Sequence, residues 1–374
     1  MSNNNELNSK KSWQVFAKNK LSLIGLFFIG IISVSAFLGY WLTPDDSPMA
    51  NDMHLELNIE KPGSTFTFIK LPKHPQPAKV NLFGRLLYGQ ATRFDLIPVA
   101  NYRFQQDYLL YQGYLGPNER SEWKQIKLSR FDGKTQAQIQ KENMTTKTFW
   151  LGTDIYGRDL LSRIIIGARV SLTVGFMAVL ISLVLGISLG ATAGFFGGKV
   201  DATISWLMNV LWSLPALLLV IAISFALGKG FWQVFIAVGL SMWVEVARLV
   251  RGQVLALKNT EFVEAARSLG FSNLRIIYIH ILPNIMGAIL VMAASNFASA
   301  ILLEAGLSFL GFGAQPPMPT WGGMIKEHYG YIVMNGAYLA LIPGLMIMLT
   351  VYAFNLITIG LRDLFDLKAE NTNV

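Results

Sequence analysis

Residues 170–198 read VSLTVGFMAVLISLVLGISLGATAGFFGG and contain no charged side chain. A hydrocarbon core of about 30 Å is crossed by about 20 apolar helical residues, so this stretch is long enough to span a membrane. Other uncharged runs lie at 21–42, 202–228 and 281–303, inside 329–361, and in a shorter form at 230–244. The sequence therefore predicts an all-α polytopic membrane protein with six transmembrane helices.

The composition agrees with this fold class and excludes several functions. Of the 374 residues, 52% are hydrophobic and 14% are charged, whereas soluble proteins carry roughly 25% charged residues. These charges are too few to cover the surface of soluble domains, which argues against a soluble enzyme. The chain has no cysteine, no zinc-binding histidine spacing, no nucleophile elbow and no P-loop. We therefore expect no catalytic site, no metal, no cofactor and no ATP hydrolysis by this chain.

Basic residues predict the orientation in the membrane. Lys10, Lys11, Lys18 and Lys20 precede the first uncharged run, and further basic residues lie between the fourth and fifth runs, namely Arg248, Arg251, Lys258, Arg267 and Arg275. Because Lys and Arg concentrate in cytoplasmic loops, both termini are predicted to be cytoplasmic, with tails at 1–20 and 362–374. Basic residues in cytoplasmic segments therefore explain the net charge of +8, and we do not expect nucleic acid as a partner.

A polar stretch separates the first two predicted spans. Residues 43–163 are numerous enough for a domain of their own, and the predicted orientation places this domain outside the cytoplasm. Residues 64–68, STFTF, alternate with the period of a strand, so we expect an inserted extracytoplasmic α+β domain between helices 1 and 2. The other five helices would form a core at 164–361.

The composition of the spans indicates which energy source could drive transport. Transporters driven by protons or sodium carry ionisable groups within their spans, and the uncharged runs hold none. Any uphill transport must then be driven by a partner. A small-residue series, Gly186, Gly190, Gly194 and Gly198, indicates either tight helix packing or a helix that slides in a gate.

The basic loop at 248–283 contains a short predicted helix. Thr260 can cap its start, Glu261 lies in the first turn, and Gly270 ends it after about three turns. One apolar face at helical spacing comprises Phe262, Ala265, Ala266 and Leu269. This face could seat in a groove of another protein or rest on the chain's own bundle, and periodicity leaves both open.

Several motifs carry a resemblance to a known family. Glu264-Ala265-Ala266, followed by Gly270 and Ile281-Leu282-Pro283, resembles the EAA loop of the membrane-spanning subunits of binding-protein-dependent ABC importers. Two further stretches are similar to the C-type subunit of oligopeptide and dipeptide permeases: LGTD and GRD within 151–159, and LSFLGFG, QPP and WG within 307–322. The resemblance covers 151–366. It departs from the family at Trp206 and Asn209, where relatives commonly have Arg and Asp.

The resemblance implies the ABC importer permease fold, in the bacterial cytoplasmic (inner) membrane, and a pathway for oligopeptides or dipeptides. The implied partners are a homologous second permease subunit, two ABC ATPase subunits and an extracytoplasmic peptide-binding protein. The residues implied to couple ATP hydrolysis to transport are Glu264, Ala265, Ala266, Gly270, Leu282 and Pro283. Two alternatives stay open: a nickel or metal-chelate permease, and a membrane receptor or assembly subunit that docks a cytoplasmic partner without transport.

Overall fold

The computed structural model describes residues 16–116, 119–228 and 230–372, with side chains described up to residue 365. Lys10, Lys11 and most of the predicted tail at 1–20 lie outside the described residues. Apart from single helical turns, the helices are, in chain order, α1 (Lys20–Leu42), α2 (Leu82–Tyr88), α3 (Leu160–Phe196), α4 (Gly198–Trp212), α5 (Ala216–Leu227), α6 (Phe231–Leu257), α7 (Glu261–Ser268), α8 (Asn273–Leu310), α9 (Trp321–His328) and α10 (Tyr338–Thr372).

Five of these helices are long and apolar enough to cross a membrane: α1, α3, α6, α8 and α10. The predicted helical polytopic fold is therefore confirmed. The helices extend beyond the uncharged runs, since α3 begins at Leu160 and α6 continues to Leu257. The first ten residues of the predicted loop at 248–283 therefore belong to α6 and form about three of its turns.

The sixth span differs from the prediction. Residues 202–228 read as one apolar run, but α4 and α5 meet at an angle of 97°. Pro215 lies at the junction with φ −57° and ψ 127°, an extended conformation that cannot continue a helix. The run therefore forms a bent pair of helices, which counts as a sixth span only if both halves are taken together.

Glycines bring α3 and α6 into close contact. A Cβ atom added to Gly190 would lie 2.4 Å from the carbonyl oxygen of Ala247 on α6, and Gly186 and Gly194 are similarly crowded by the same helix. Small residues at every fourth position allow two helix backbones to approach in this way. Gly198, the last member of the series, has open space around it, so the packing interpretation holds for the first three glycines.

The segment between α1 and α3 contains a five-stranded antiparallel sheet in the order β4-β3-β2-β1-β5. Its strands are β1 (Ser64–Pro72), β2 (Phe94–Gln105), β3 (Tyr108–Gly116), β4 (Glu119–Lys127) and β5 (Met144–Phe149). The strand predicted at 64–68 is confirmed. The sheet packs a core of its own around Ile69, Leu109, Phe131 and Ile139. We call the end of the bundle that carries the sheet the sheet end, and the opposite end, which carries α7, the α7 end.

Candidate functional site

Helix α7 is fixed to three of the long helices at once. Val263 and Ala266 are its buried side chains, and they belong to one apolar cluster with Val254 of α6, Ile281 of α8 and Phe195 of α3. Burial of a side chain as large as that of Val263 contributes about 1.5–3 kcal/mol. Because the cluster joins α7 to the ends of α3, α6 and α8, a displacement of α7 must move or strain those helices.

The C-terminus of α7 is closed by a Schellman motif. Gly270 donates its backbone N–H to the carbonyl of Arg267 at 2.9 Å, and Phe271 donates to the carbonyl of Ala266 at 3.1 Å. Gly270 has φ +77°, a conformation that favours glycine, so the helix ends where the sequence predicts. Thr260 precedes the helix as predicted, but its hydroxyl donates to the carbonyl of Leu257 at 2.6 Å instead of accepting from α7.

The predicted apolar face of α7 is divided in the structure. Ala266 turns inward with Val263, whereas Phe262 and Leu269 are 40% and 73% exposed and Ala265 is exposed beside them. The prediction of a single face containing Ala266 is therefore wrong. Helical spacing allows two overlapping faces here, and only packing against α6 and α8 selects Val263, which the sequence analysis missed. The exposed face of α7 is hereafter Phe262, Ala265 and Leu269.

The link from α7 into α8 is rigid. Leu282 is buried in the same apolar cluster, and exposed Pro283 follows a π-helical segment at Ile276–Ile281. Pro283 lacks the N–H that an α-helix would direct to the carbonyl of residue 279, and the adjacent Asn284 donates its side-chain amide to the carbonyl of His280 at 2.6 Å. The ring of His280 stacks on Phe271 at a centroid distance of 5.5 Å. Of the implied coupling residues, Glu264 and Ala265 are exposed and Ala266 and Leu282 are buried.

Two arginines of α6 hold α4 at the α7 end. Arg251 contacts Asp201 through two hydrogen bonds of 2.5 and 2.7 Å. Arg248 donates to Asn209 at 2.9 Å and lies 4.4 Å from the ring centroid of Trp212. Asn209 is one of the positions that departs from the family pattern, and its amide supplies a partner for Arg248. These pairs cannot be recognised from the sequence, because their members are about 40–50 residues apart.

A cavity of about 830 Å³ lies between α6, α8 and α10, next to the link that contains Pro283. Its polar lining includes Gln253, Asn284, Ser295 and Thr358 among apolar side chains. Mixed polar and apolar lining suits a solute that offers both hydrogen-bonding groups and side chains. The sequence by itself predicts no lining residues for a substrate pathway.

At the sheet end, the stretch at 151–159 that carries the resemblance meets the first turn of α3 and Glu327 of α9 in a largely buried charge network. Arg158 donates to Asp154 at 2.6 Å and to Glu327 at 2.9 Å, and Arg163 lies 3.6–3.7 Å from the same two carboxylates. Asp154, Glu327 and His328 have ligand atoms close enough to hold a metal ion, but both carboxylates are already paired with guanidinium groups. Burial lowers the pKa of His328, whose Nδ1 contacts the carbonyl of Met324.

The uncharged runs hold no ionisable group, but the helices that contain them extend further and do. Because α8 continues beyond the uncharged run to Leu310, it includes Glu304, which is buried. Its carboxylate accepts hydrogen bonds from Ser171 of α3 at 3.1 Å and from Ser308 at 2.7 Å. Arg169 likewise lies within α3, ahead of the uncharged run. In this arrangement Glu304 ties α3 to α8 through the hydroxyl group of Ser171, whereas the hydrogen bond from Ser308 lies within α8.

Residues 182–371 match the family described as "Binding-protein-dependent transport system inner membrane component". Residues 9–59 match the "N-terminal TM domain of oligopeptide transport permease C". The chain is 44% identical over 222 residues to the dipeptide transport system permease protein DppC of Alkalihalophilus pseudofirmus, covering 59% of this chain and 73% of the relative.

Two other relatives have similar coverage. Identity is 42% over 222 residues with the glutathione transport system permease protein GsiD of Pectobacterium atrosepticum, covering 59% of this chain and 73% of that protein. It is 38% over 240 residues with the oligopeptide transport system permease protein OppC of Bacillus subtilis, covering 64% and 78%. With a family match over half of its length and the helical bundle described above, this chain belongs to the family of binding-protein-dependent transport system inner membrane components.

Proposed function

We propose that this chain is one of two homologous permease subunits of an ABC importer, which together form the transmembrane pathway for oligopeptides or dipeptides. The relatives DppC, OppC and GsiD, a dipeptide, an oligopeptide and a glutathione transport permease, support a peptide-like substrate. The observation that carries the proposal is the position of α7: one side is buried against three long helices, and Phe262, Ala265 and Leu269 are presented outward.

In this proposal, two ATPase subunits bind the exposed faces of α7 in the two permease subunits. Nucleotide-driven closure of the ATPases moves α7, and the cluster around Val263 and Ala266 passes that motion to α3, α6 and α8. The cavity between α6, α8 and α10 would then open alternately to the two sides of the membrane. The polar and apolar side chains of the cavity would bind the backbone and side chains of the peptide. Transport by this route requires no covalent chemistry of this chain.

The orientation follows from the same assignment. If α7 binds cytoplasmic ATPases, both termini are cytoplasmic, in agreement with the basic loop that contains Arg248, Arg251 and Arg267. The sheet end would then lie outside the cytoplasm, in the inner membrane of a bacterium. We divide the chain into an extracytoplasmic domain at 43–163 and a permease core at 164–361. We also propose that the domain caps the pathway or receives the peptide-binding protein.

Co-purification followed by an ATPase assay tests the function. We expect two ATPase subunits and a second permease subunit to co-purify after detergent extraction, and ATP hydrolysis to rise when peptide-loaded binding protein is added. Stimulation by a nickel-loaded binding protein, but not by a peptide-loaded one, would favour the metal-chelate alternative. A preparation that captures a cytoplasmic partner but moves no solute in vesicles would favour the receptor alternative.

The role of the sheet can be tested separately, because its two ends lie side by side. Ser64 pairs with Phe149 in the sheet, and Gly63 donates to the carbonyl of Phe149 at 2.8 Å. Residues 64–149, which also include α2, can therefore be replaced by a short linker that spans the same gap. We expect this variant to assemble with the ATPases and to lose stimulation by the binding protein. Unchanged stimulation would contradict a docking role for the sheet.

A further inference from the structure

Helix α2 exposes a set of large apolar side chains at the sheet end of the bundle. Leu82, Phe83 and Tyr88 are 75%, 67% and 71% exposed, although the helix has only seven residues. Arg85 lies on the same helix and pairs with Asp46 at 2.7 Å. A short helix with apolar and aromatic side chains exposed beside transmembrane helices is typical of a segment that lies in the membrane interface.

The C-terminal end of α2 is held by Arg169 of α3. The guanidinium group donates to the carbonyls of Leu86 and Leu87 of α2, each at 3.0 Å. It also donates to two carbonyls of α1, those of Ala36 and Phe37, each at 2.8 Å. These four hydrogen bonds fix the guanidinium group where α1, α2 and α3 meet.

The charge of Arg169 has no acidic partner in the part of the chain that the structure describes. No carboxylate among those residues lies within 4.0 Å of its nitrogens. The carbonyl groups are neutral dipoles, and the ring of Tyr40, 5.1 Å from the guanidinium carbon, adds a weak cation–π contact. A full positive charge therefore remains at the edge of an apolar surface, where an anionic group would be attracted strongly.

Arg169 also lines a groove of about 560 Å³ between α1, α2, α3, α8 and α10. The walls of the groove are mainly apolar and aromatic, and include Phe37, Tyr88, Phe176, Phe297 and Phe354. Phe37 continues an exposed apolar row on α1 that contains Phe27, Val34 and Trp41. Because this row has the composition of a lipid-facing surface, the groove opens towards the acyl chains of the bilayer.

We propose that this groove is a binding site for one anionic phospholipid. The phosphate group would lie next to the guanidinium group of Arg169, and an acyl chain would lie along Phe37, Phe176 and Phe354. Charge complementarity and the apolar walls together select this ligand. A soluble anion would leave the groove empty, and the positive choline group of a zwitterionic lipid would offset the attraction between its phosphate and Arg169. The bound lipid would fill the junction of α1, α2 and α3.

Native mass spectrometry of the full-length protein, purified with its co-purifying subunits and delipidated, tests the proposal. Phosphatidylglycerol and phosphatidylcholine serve as the anionic and zwitterionic probes. Thr173 lines the groove and is exposed, so Thr173→Trp fills the space and leaves the four hydrogen bonds of Arg169 intact. Val184 is exposed on almost the same face of α3, three turns away and outside the groove; Val184→Trp is the matched control.

We expect the unmodified protein and Val184→Trp to retain one more phosphatidylglycerol than Thr173→Trp. The unmodified protein should prefer phosphatidylglycerol over phosphatidylcholine by about fivefold, the factor that corresponds to about 1 kcal/mol per basic residue at an anionic membrane surface. Arg169→Gln should remove this preference. If Arg169→Gln fails to fold, the lipid preference of the unmodified protein still decides the headgroup.

Three results would overturn the proposal. The first is equal lipid retention by Thr173→Trp and Val184→Trp, and the second is equal retention of the two lipids by the unmodified protein. The third is a photo-crosslink from position 176 to another protein subunit in place of lipid, which would make the groove a subunit interface.

Discussion

Arg251 of α6 and Asp201 of α4 form a bidentate ion pair, with Nε–Oδ1 and Nη2–Oδ2 distances of 2.5 and 2.7 Å. Asp201 lies in the first turn of α4, where a carboxylate is favoured by the helix dipole, and Ser205 donates a further hydrogen bond to it at 3.1 Å. This ion pair fixes α4 to α6 at the α7 end of the bundle. It therefore holds one half of the bent α4–α5 unit in place.

Removing this ion pair should loosen α4 without unfolding the bundle. Both side chains are partly exposed, so we expect Arg251→Gln to cost about 1 kcal/mol or less. Since the chain has no cysteine, spin labels can be attached uniquely at positions 203 and 253. Double electron–electron resonance between the two labels should give a broader distance distribution in Arg251→Gln than in the protein with Arg251. The charge-swapped double variant, Asp201→Arg with Arg251→Asp, should restore the narrow distribution, and a failure to do so would contradict a role for the ion pair itself.

The contact between α3 and α6 should not tolerate a side chain at Gly190. Since an added Cβ atom would lie 2.4 Å from the carbonyl oxygen of Ala247, Gly190→Val must separate the helices, at a cost of about 1–3 kcal/mol or more. We expect a lower thermal transition in detergent. Gly30→Ala on α1, where a Cβ atom meets nothing within 4 Å, is the control and should leave the transition almost unchanged. Equal transitions in the two variants would contradict the proposed close packing.

The φ of +77° at Gly270 predicts a graded effect of substitution on coupling. Space around this position is open, so the strain comes from the backbone alone and amounts to about 1–2 kcal/mol for most L-residues. We expect Gly270→Val to lower peptide uptake per ATP hydrolysed, and Gly270→Asn to be milder because asparagine tolerates this conformation. Gly252→Ala, on α6 with open space and no positive φ, is the control. Normal accumulation of peptide in Gly270→Val would contradict the coupling role.

The two sides of α7 should separate docking from stability. Leu269 is mostly exposed, so Leu269→Asp should leave the thermal stability of the permease unchanged and abolish co-purification of the ATPases. Val263 is fully buried, and Val263→Ala should lower stability by about 2 kcal/mol while ATPase binding persists. Retention of the ATPases by Leu269→Asp would show that the exposed face is not their binding surface.

His328 should make stability depend on pH on the acid side of neutrality. Burial lowers its pKa below the ordinary value of 6.5, so the unfolded chain binds a proton at a higher pH than the folded protein. Above pH 6.5 the imidazole is neutral in both states, so it does not reduce the free energy of unfolding. Below pH 6.5 the free energy of unfolding falls, with a slope of up to about 1.4 kcal/mol per pH unit. His328→Gln should flatten the fall in Tm between pH 6.5 and 5. Parallel profiles for the two proteins would contradict this assignment.

Local sequence patterns were sufficient for the main features of the fold. Uncharged runs long enough to cross a bilayer correspond to α1, α3, α6, α8 and α10, because the hydrophobic requirement of a span is met within one segment. The alternation at 64–68 corresponds to β1, and Gly270 ends α7 with a positive φ. Each of these features depends on residues that are neighbours in the chain.

Other features depend on residues that are distant in the chain, and only the tertiary structure decided them. Pro215 marks a break, but neither the 97° angle between α4 and α5 nor the ion pair between α4 and α6 can be read from neighbouring residues. The burial of Ala266 with Val263, and not with Phe262, is selected by the side chains of α3, α6 and α8. The spacing of apolar residues fixes which faces a helix can offer, whereas the neighbours it meets after folding fix which of those faces becomes buried.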